Sequence, residues 1–356
     1  MTGYTLGWSK MSEAKMQNKT VEANSKLLHT IFSDMTDETI IEHELVPEER
    51  SEYLLSHIGY LANKHDPSKY TNIPNWLDSI VNHTGLKDKK ILDMGCGFGE
   101  WGLMLSNYGN EVTGITITGF EARFLEKIKK IHADLLAENA IRMEPVVGDA
   151  LDLPFEDSSF DVVLCNQFIS HVSDLTRSFE EAKRVLNDNG QLIVLDNNKH
   201  NLLYLWRYAP FQEIMRKQDN TFNSLREGII KEYALEHQMR LSDEDISLIS
   251  DRTAGYLKDE IIEVLGSIKD GDASMKAVLQ GLPKRFRYRN PLTGYYVERY
   301  FTPSEVVGRM EKQGFSDMRT VYPLSKNRLS KLPLMRDIVF NTVCGTYLIS
   351  ASCGKQ

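Results

Sequence analysis

The chain has 356 residues, 41% of them hydrophobic, and a formal net charge of −8. That length supports one large core with an attached region, and the acidic balance argues against general nucleic-acid binding, which needs a basic footprint. No apolar run approaches the roughly 18 residues of a membrane span, the start MTGYTLGWSKMSEAK lacks a signal-peptide core, and the cysteines, Cys96, Cys165, Cys344 and Cys353, have no spacing for a zinc site or a disulfide framework. In chain order, residues 1–85 read as helices. Pro47 opens one with Leu54, Ile58 and Leu61 on one face, and Pro74 opens another with Leu77, Ile80 and Val81 apolar and Gly85 as its stop.

The segment KILDMGCGFGEWG (90–102) follows. Apolar Ile91-Leu92 ends in Asp93, then Gly95, Gly97 and Gly99 alternate before a helix-like run. A strand that turns sharply into a helix needs glycine where the backbone passes under a ligand, and the amides at the helix start face whatever the loop cradles. A dinucleotide fingerprint would read G-x-G-x-x-G with a pyrophosphate on the helix dipole. Here the third glycine comes one residue early, and Asp93 would repel a pyrophosphate but attract an ammonium group. The pattern points to S-adenosylmethionine, and its bland alternative is an ordinary glycine-rich turn.

Further along, 111–118 reads as a second strand, 121–136 as a helix, 142–147 as a third strand ending in Gly148-Asp149-Ala150, and 160–166 as a fourth. Residues 177–186 read as a helix closed by Asn189-Gly190, and 191–195 as a fifth strand ending in Asp196. Alternating strands and helices imply a doubly wound, mostly parallel α/β sheet, whose ligand lies beyond the carboxyl ends of the strands.

With LDMGCGFG at 92–99, GDALDLPFEDSSFDVVLCN at 148–166, HVSD at 171–174 and RVLNDNGQLIV at 184–194, residues 88–198 resemble the class I S-adenosylmethionine-dependent methyltransferases. The likeness resumes at FTPSEVVGRMEKQGF (301–315), which looks like the family's last crossing helix, with 318–322 and 346–350 as closing antiparallel strands of a seven-stranded Rossmann-like sheet. The resemblance implies that Asp93, Gly95, Cys96, Gly97 and Gly99 hold the methionine part of S-adenosylmethionine. It implies that Thr116 and Ile117 follow the second strand beside the ribose, that Asp149 and Ala150 read the adenine, and that Asn166 lies beside the methyl group. One departure stands out: where the family usually ends its second strand in an acid for the ribose hydroxyls, this chain has Thr116. Thr118, Glu121 or another segment would have to compensate.

Residues 201–300 separate the fifth strand from the last helix by far more than a normal connection. They read as helices at 202–217, 223–237, 243–252 and 254–268, with Ser242 as a capping start and Leu257, Ile261, Val264, Leu265 and Ile268 as a core stripe. The run KRFRYRNPLTGYYVERYF (284–301) admits two readings. One is a substrate clamp, with Arg285, Arg287, Arg289 or Arg299 on an anion and Tyr288, Tyr295, Tyr296 or Tyr300 stacking on a ring. The other is a hairpin arm with one apolar face.

The expected organisation is an N-terminal helical cap (1–85), a cofactor-binding core (86–200), a helical insertion over the substrate (201–300) and the remainder of the core (301–356). The expected activity is methyl transfer to a small-molecule acceptor by in-line displacement. A hydroxyl acceptor needs a base, for which His171 and His200 are the candidates; His171 also reads as a cap or packing residue. No metal, nucleic-acid or membrane partner is expected, the expected location is the cytoplasm, and a homodimer is the assembly considered. The alternatives are a macromolecular acceptor such as tRNA or protein, and an inactive cofactor-binding regulator.

Overall fold

The computed structural model describes residues 6–38, 40, 58–59, 61–62, 72–117, 119–197, 204–271, 274–285, 287–292, 294, 299, 301–321 and 346–353. Seven strands form one sheet: β1 (Lys90–Met94), β2 (Glu111–Thr116), β3 (Met143–Val147), β4 (Phe160–Asn166), β5 (Leu186–Asn197), β6 (Phe315–Val321) and β7 (Thr346–Cys353). Their spatial order is β3-β2-β1-β4-β5-β7-β6. The pairs among β1 to β5 are parallel, and β7 inserts antiparallel between β5 and β6. The chain works outward from β1 to β3 and then returns to place β4 on the other side of β1. The switch point, where an open α/β sheet binds its ligand, therefore lies between β1 and β4.

The helices are α1 (Leu6–Asp34), α2 (Asn72–Thr84), α3 (Glu100–Ser106), α4 (Gly119–Ile131), α5 (Ala133–Glu138), α6 (Leu175–Val185), α7 (Tyr204–Glu236), α8 (Asp243–Arg252), α9 (Lys258–Asp270), α10 (Met275–Gly281) and α11 (Pro303–Lys312). Successive strand residues point to opposite faces, and the cores divide accordingly. On one face Ile91, Val112, Leu164, Ile193 and Leu195 pack beneath α1, α2, α3 and α4. On the other, Leu92, Met94, Val163, Cys165, Leu192 and Val194 pack beneath α6 and α11. Leu77, Ile80 and Val81 of α2 are buried, each contributing roughly 1.5–3 kcal/mol by leaving water. Gly85, at φ 74, stops that helix.

A third apolar cluster belongs to α7 to α10, where Ile229, Ile230, Ile246, Ile249, Tyr256, Ile261, Val264, Leu265 and Leu279 pack together. The stripe read from the sequence supplies its centre, and Ser242 and Asp245 form a reciprocal capping box at the start of α8. Arg226 lies fully buried in this block, its Nε donating to Ser250 O at 3.0 Å.

Several boundaries differ from the sequence reading. The helix expected at 121–136 breaks at His132 into α4 and α5. The two helices expected at 202–217 and 223–237 are one 33-residue helix, α7, because no proline or glycine falls between them to stop it. Asn189-Gly190 does not close α6. That helix ends at Val185, and β5 starts at Leu186 opposite Phe160, its register to β4 shifting before Gln191 meets Val162. The last helix is bounded by Thr302, whose side chain and that of Glu305 cap each other's amides. Residues 41–57, with the helix expected from Pro47, lie outside the described residues, as does Cys344.

Candidate active site

Asp93, Thr116, Asn166 and the Gly148-Asp149 turn all fall at the carboxyl edge of the sheet. The glycine loop leaves β1 with Gly95, Gly97 and Gly99 at φ 76, 52 and 76, conformations that cost a side-chain-bearing residue roughly 1–2 kcal/mol. Two of these positions are also crowded. A Cβ at Gly95 would lie 2.4 Å from Phe168 Cδ2, and one at Gly99, the N-cap of α3, would lie 2.3 Å from Leu125 Cδ2. The amides of Gly95 and Cys96 both donate to Ile115 O, at 2.9 and 3.0 Å, which ties the loop to the end of β2.

Inside this loop Asp93 is 2% exposed, and its Oδ2 has no hydrogen-bond partner. Burial, reinforced by the Glu100 carboxylate, pushes its carboxyl up to about 7. A buried acid without a counter-charge is costly, so the position suits a cationic ligand. Asn166 Oδ1 is likewise buried without a partner, one strand away across the switch point.

At the end of β2 the Thr116 hydroxyl donates to the Glu121 carboxylate. Glu121 sits in the first turn of α4, so the helix returns an acid to the place where the strand itself ends in a hydroxyl. Cys96, between the two acids, has its thiol pushed up by burial first and then by Asp93 and Glu121; one loop residue thus senses both carboxylates. Ile117 and Val147 are exposed apolar residues just past Thr116 and at the end of β3, which pairs Thr116 with Val147. Asp149 Oδ1 accepts from Leu151 N at 2.9 Å, and Ala150 is buried.

His171 is half-buried in the turn after β4, its amide donating to Phe168 O at 2.9 Å. His200, Tyr295, Tyr296, Tyr300 and Thr118 lie outside the described residues. The arginines read as a clamp are engaged with the helical block and its surroundings. Arg287 pairs with Asp219 at 2.9 Å and Asp251 at 3.5 Å. Arg285 pairs with Glu260 at 2.7 Å and lies over the Tyr256 ring at 3.9 Å. Arg289 Nε donates to Gly294 O at 3.0 Å, and Arg299 Nη2 to Val172 O at 3.1 Å. For Arg285 and Arg287 the physical reason is the carboxylates of Asp219, Asp251 and Glu260 on α7, α8 and α9. Tyr288 is half-buried in the same arm.

Two acids that the sequence reading left out of its site come into view. Glu121 had been named only as a possible compensation, and its five-residue offset from Thr116, a strand end followed by a helix start, was the available signal. Asp196 is the next-to-last residue of β5 and is 1% exposed; an acid after an apolar run was its signal. Among the described residues no group of His, Cys, Asp and Glu is arranged to hold a metal ion.

A family model for a methyltransferase domain matches residues 92–194, the span from β1 to β5 that carries these features. Residues 92–194 thus form a methyltransferase domain. Among curated proteins, the demethylmenaquinone methyltransferase of Staphylococcus aureus is 33% identical over 128 residues, covering 36% of this chain and 51% of the relative. The chain thus spans about half the length of the curated relatives it matches. Among solved structures, a possible histamine N-methyltransferase from Thermotoga maritima is 15% identical, covering 78% of this chain and 87% of that one, with a TM-score of 0.41. Geranyl diphosphate C-methyltransferase from Streptomyces coelicolor is also 15% identical, at 82% and 80% coverage, with a TM-score of 0.42. The matched residues end within β5, so α7 to α10 lie outside them.

Proposed function

We propose that this chain is an enzyme that moves the methyl group of S-adenosylmethionine to a small-molecule acceptor. The observation that carries this reading is Asp93, a buried carboxylate with an unpartnered oxygen above a left-handed glycine loop. These residues fit the cofactor. The Asp93 carboxylate would take its ammonium group, the loop of Gly95, Cys96, Gly97 and Gly99 would cradle its methionine part, and Glu121 with Thr116 would take its ribose hydroxyls. Ile117 offers an apolar surface to adenine, and Asp149 and Ala150 its polar edge.

When bound, the cofactor supplies an electrophilic methyl on a sulfonium. What the chain must add is placement and dryness, since positioning alone can lower a barrier by several kcal/mol. Asn166 Oδ1, buried and unpartnered, is available to orient a donor hydrogen at the switch point. His171 is the base we assign for a hydroxyl acceptor, with His200 as the second candidate; an amine or activated carbon needs neither. The helical insertion, with its own core and with Arg287, Tyr288, Arg289, Tyr295 and Tyr296 in its arm, is assigned to acceptor recognition. The curated relatives are named for a small-molecule acceptor, demethylmenaquinone, and the net charge of −8 supports a non-nucleic acceptor.

Calorimetric titration with S-adenosylmethionine, and separately with NAD, tests the reading. Binding of the first alone is expected, weakened by Glu121→Ala by about tenfold, the loss of a hydrogen bond to a charged group. Equal binding of NAD, or binding of neither, would refute it.

A further inference from the structure

The turn that leaves β4 is held by a residue outside the site described above. Gln167, exposed and directly after Asn166, has φ 49, a conformation that a non-glycine residue keeps only when its surroundings enforce it. Its amide donates to Leu195 O at 2.7 Å, and His171 N closes the turn on Phe168 O. The kink carries Phe168 against Gly95, where even a methyl group would collide with the ring.

Beneath this turn lies Asp196. It shares a sheet face with Val194 and Cys165, opposite that of Asp93. Its Oδ2 accepts from Ser170 N at 3.4 Å and its Oδ1 from Asn197 N at 2.7 Å, while burial pushes its carboxyl up to about 7. A carboxylate has acceptor capacity for both of these amides, whereas a carboxamide of the same shape presents one oxygen and sets an N–H against an N–H. From the far side, Arg299 N donates to Ser170 O at 2.9 Å.

We propose that Asp196 is a positioning residue: by accepting from the Ser170 amide beneath the turn it fixes the turn so that Phe168 backs the glycine loop that receives the cofactor. It acts through Phe168 and Gly95 and touches no reacting atom. The inference rests on the reading of the site as one for S-adenosylmethionine.

The test uses the full chain, Asp196→Asn, S-adenosylmethionine as the probe, and two readouts. Calorimetry near pH 8, above the value of about 7 to which burial raises Asp196, should show binding about tenfold weaker than wild type, the scale of a lost charge-assisted hydrogen bond. Hydrogen exchange should show residues 167–172 opening faster while 346–353, on the neighbouring β7, is unchanged; a residue that merely stabilises the fold would loosen both. In the wild-type chain alone, adding S-adenosylmethionine should slow exchange across 167–172, a measurement that stands even if the variant fails to fold. Wild-type affinity in the variant, uniform loosening, or a turn whose exchange ignores the probe would each overturn the proposal. Failure of the wild-type chain to bind S-adenosylmethionine is seen first, in the titration without the variant, and would overturn the cofactor reading on which the proposal stands.

Discussion

Replacing Asp93 with Asn should make the ligand-free protein more stable while weakening its binding site. Asp93 ionises near 3.8 when exposed but near 7 in the fold, through burial and then the Glu100 charge. Between those values the native state holds a proton that the unfolded chain has released. The stability linked to this group is therefore complete below 3.8 and lost as pH rises through about 7. At about 1.4 kcal/mol per pKa unit, the gap corresponds to roughly 4 kcal/mol lost by neutral pH. Asn has the same shape and no proton to lose. Urea denaturation should show Asp93→Asn and wild type equally stable near pH 4, and the variant ahead by up to about 4 kcal/mol near pH 8. Titration with S-adenosylmethionine near pH 8 should show about tenfold weaker binding or worse, because the ammonium partner has lost its charge. A variant less stable than wild type near pH 8, or a difference that does not change with pH, would refute the reasoning: Asp93 would then be a paired structural carboxylate.

Glu181 is buried and takes Arg177 at 3.0 Å, Arg184 at 2.7 Å and the amide of Leu153 at 2.9 Å; Arg184 holds its carboxyl below the usual range. Both arginines are partly exposed, so Glu181→Ala should cost about 1.5 kcal/mol in chemical denaturation near neutral pH, the scale of a hydrogen bond to a charged group, and the penalty should shrink as pH falls below 4.5; a loss under about 0.5 kcal/mol would place the pair among surface interactions. His132 is buried, its Nε2 unpartnered, and burial holds its imidazole below 6.5 despite Asp34 at 3.8 Å. It is neutral in the fold, so its contribution is present above 6.5 and lost as pH falls through that value. Thermal melts of His132→Gln should flatten that acid limb, and an unchanged limb would mean that α1 and α5 do not confine the ring.

The period-two and helical patterns made most of the sheet legible, because strands buried on both faces leave strongly apolar runs between turn residues. The glycine spacing and Asp93 identified the cofactor class for a local reason, since turn, carboxylate and helix start all fall within a dozen residues. The paired middle of β5, the α8 cap and the stripe of α9 were read correctly from similarly local signals. Where a boundary depends on a neighbouring strand, local pattern misled: Leu186 joins β5 only because Phe160 lies opposite, and Asn189-Gly190 looked like a helix end.

By itself, then, the chain's sequence determined the elements, their approximate order and the chemistry of the glycine loop, all set by neighbours close in sequence. Only the tertiary structure decided which distant charges meet. It joined Glu121 to Thr116, gave Arg287 to Asp219 and Asp251, and set Asp196 under the amide of Ser170. Polar pairing of this kind falls steeply with distance and is enforced by burial, so it is fixed by packing geometry, which no periodicity records.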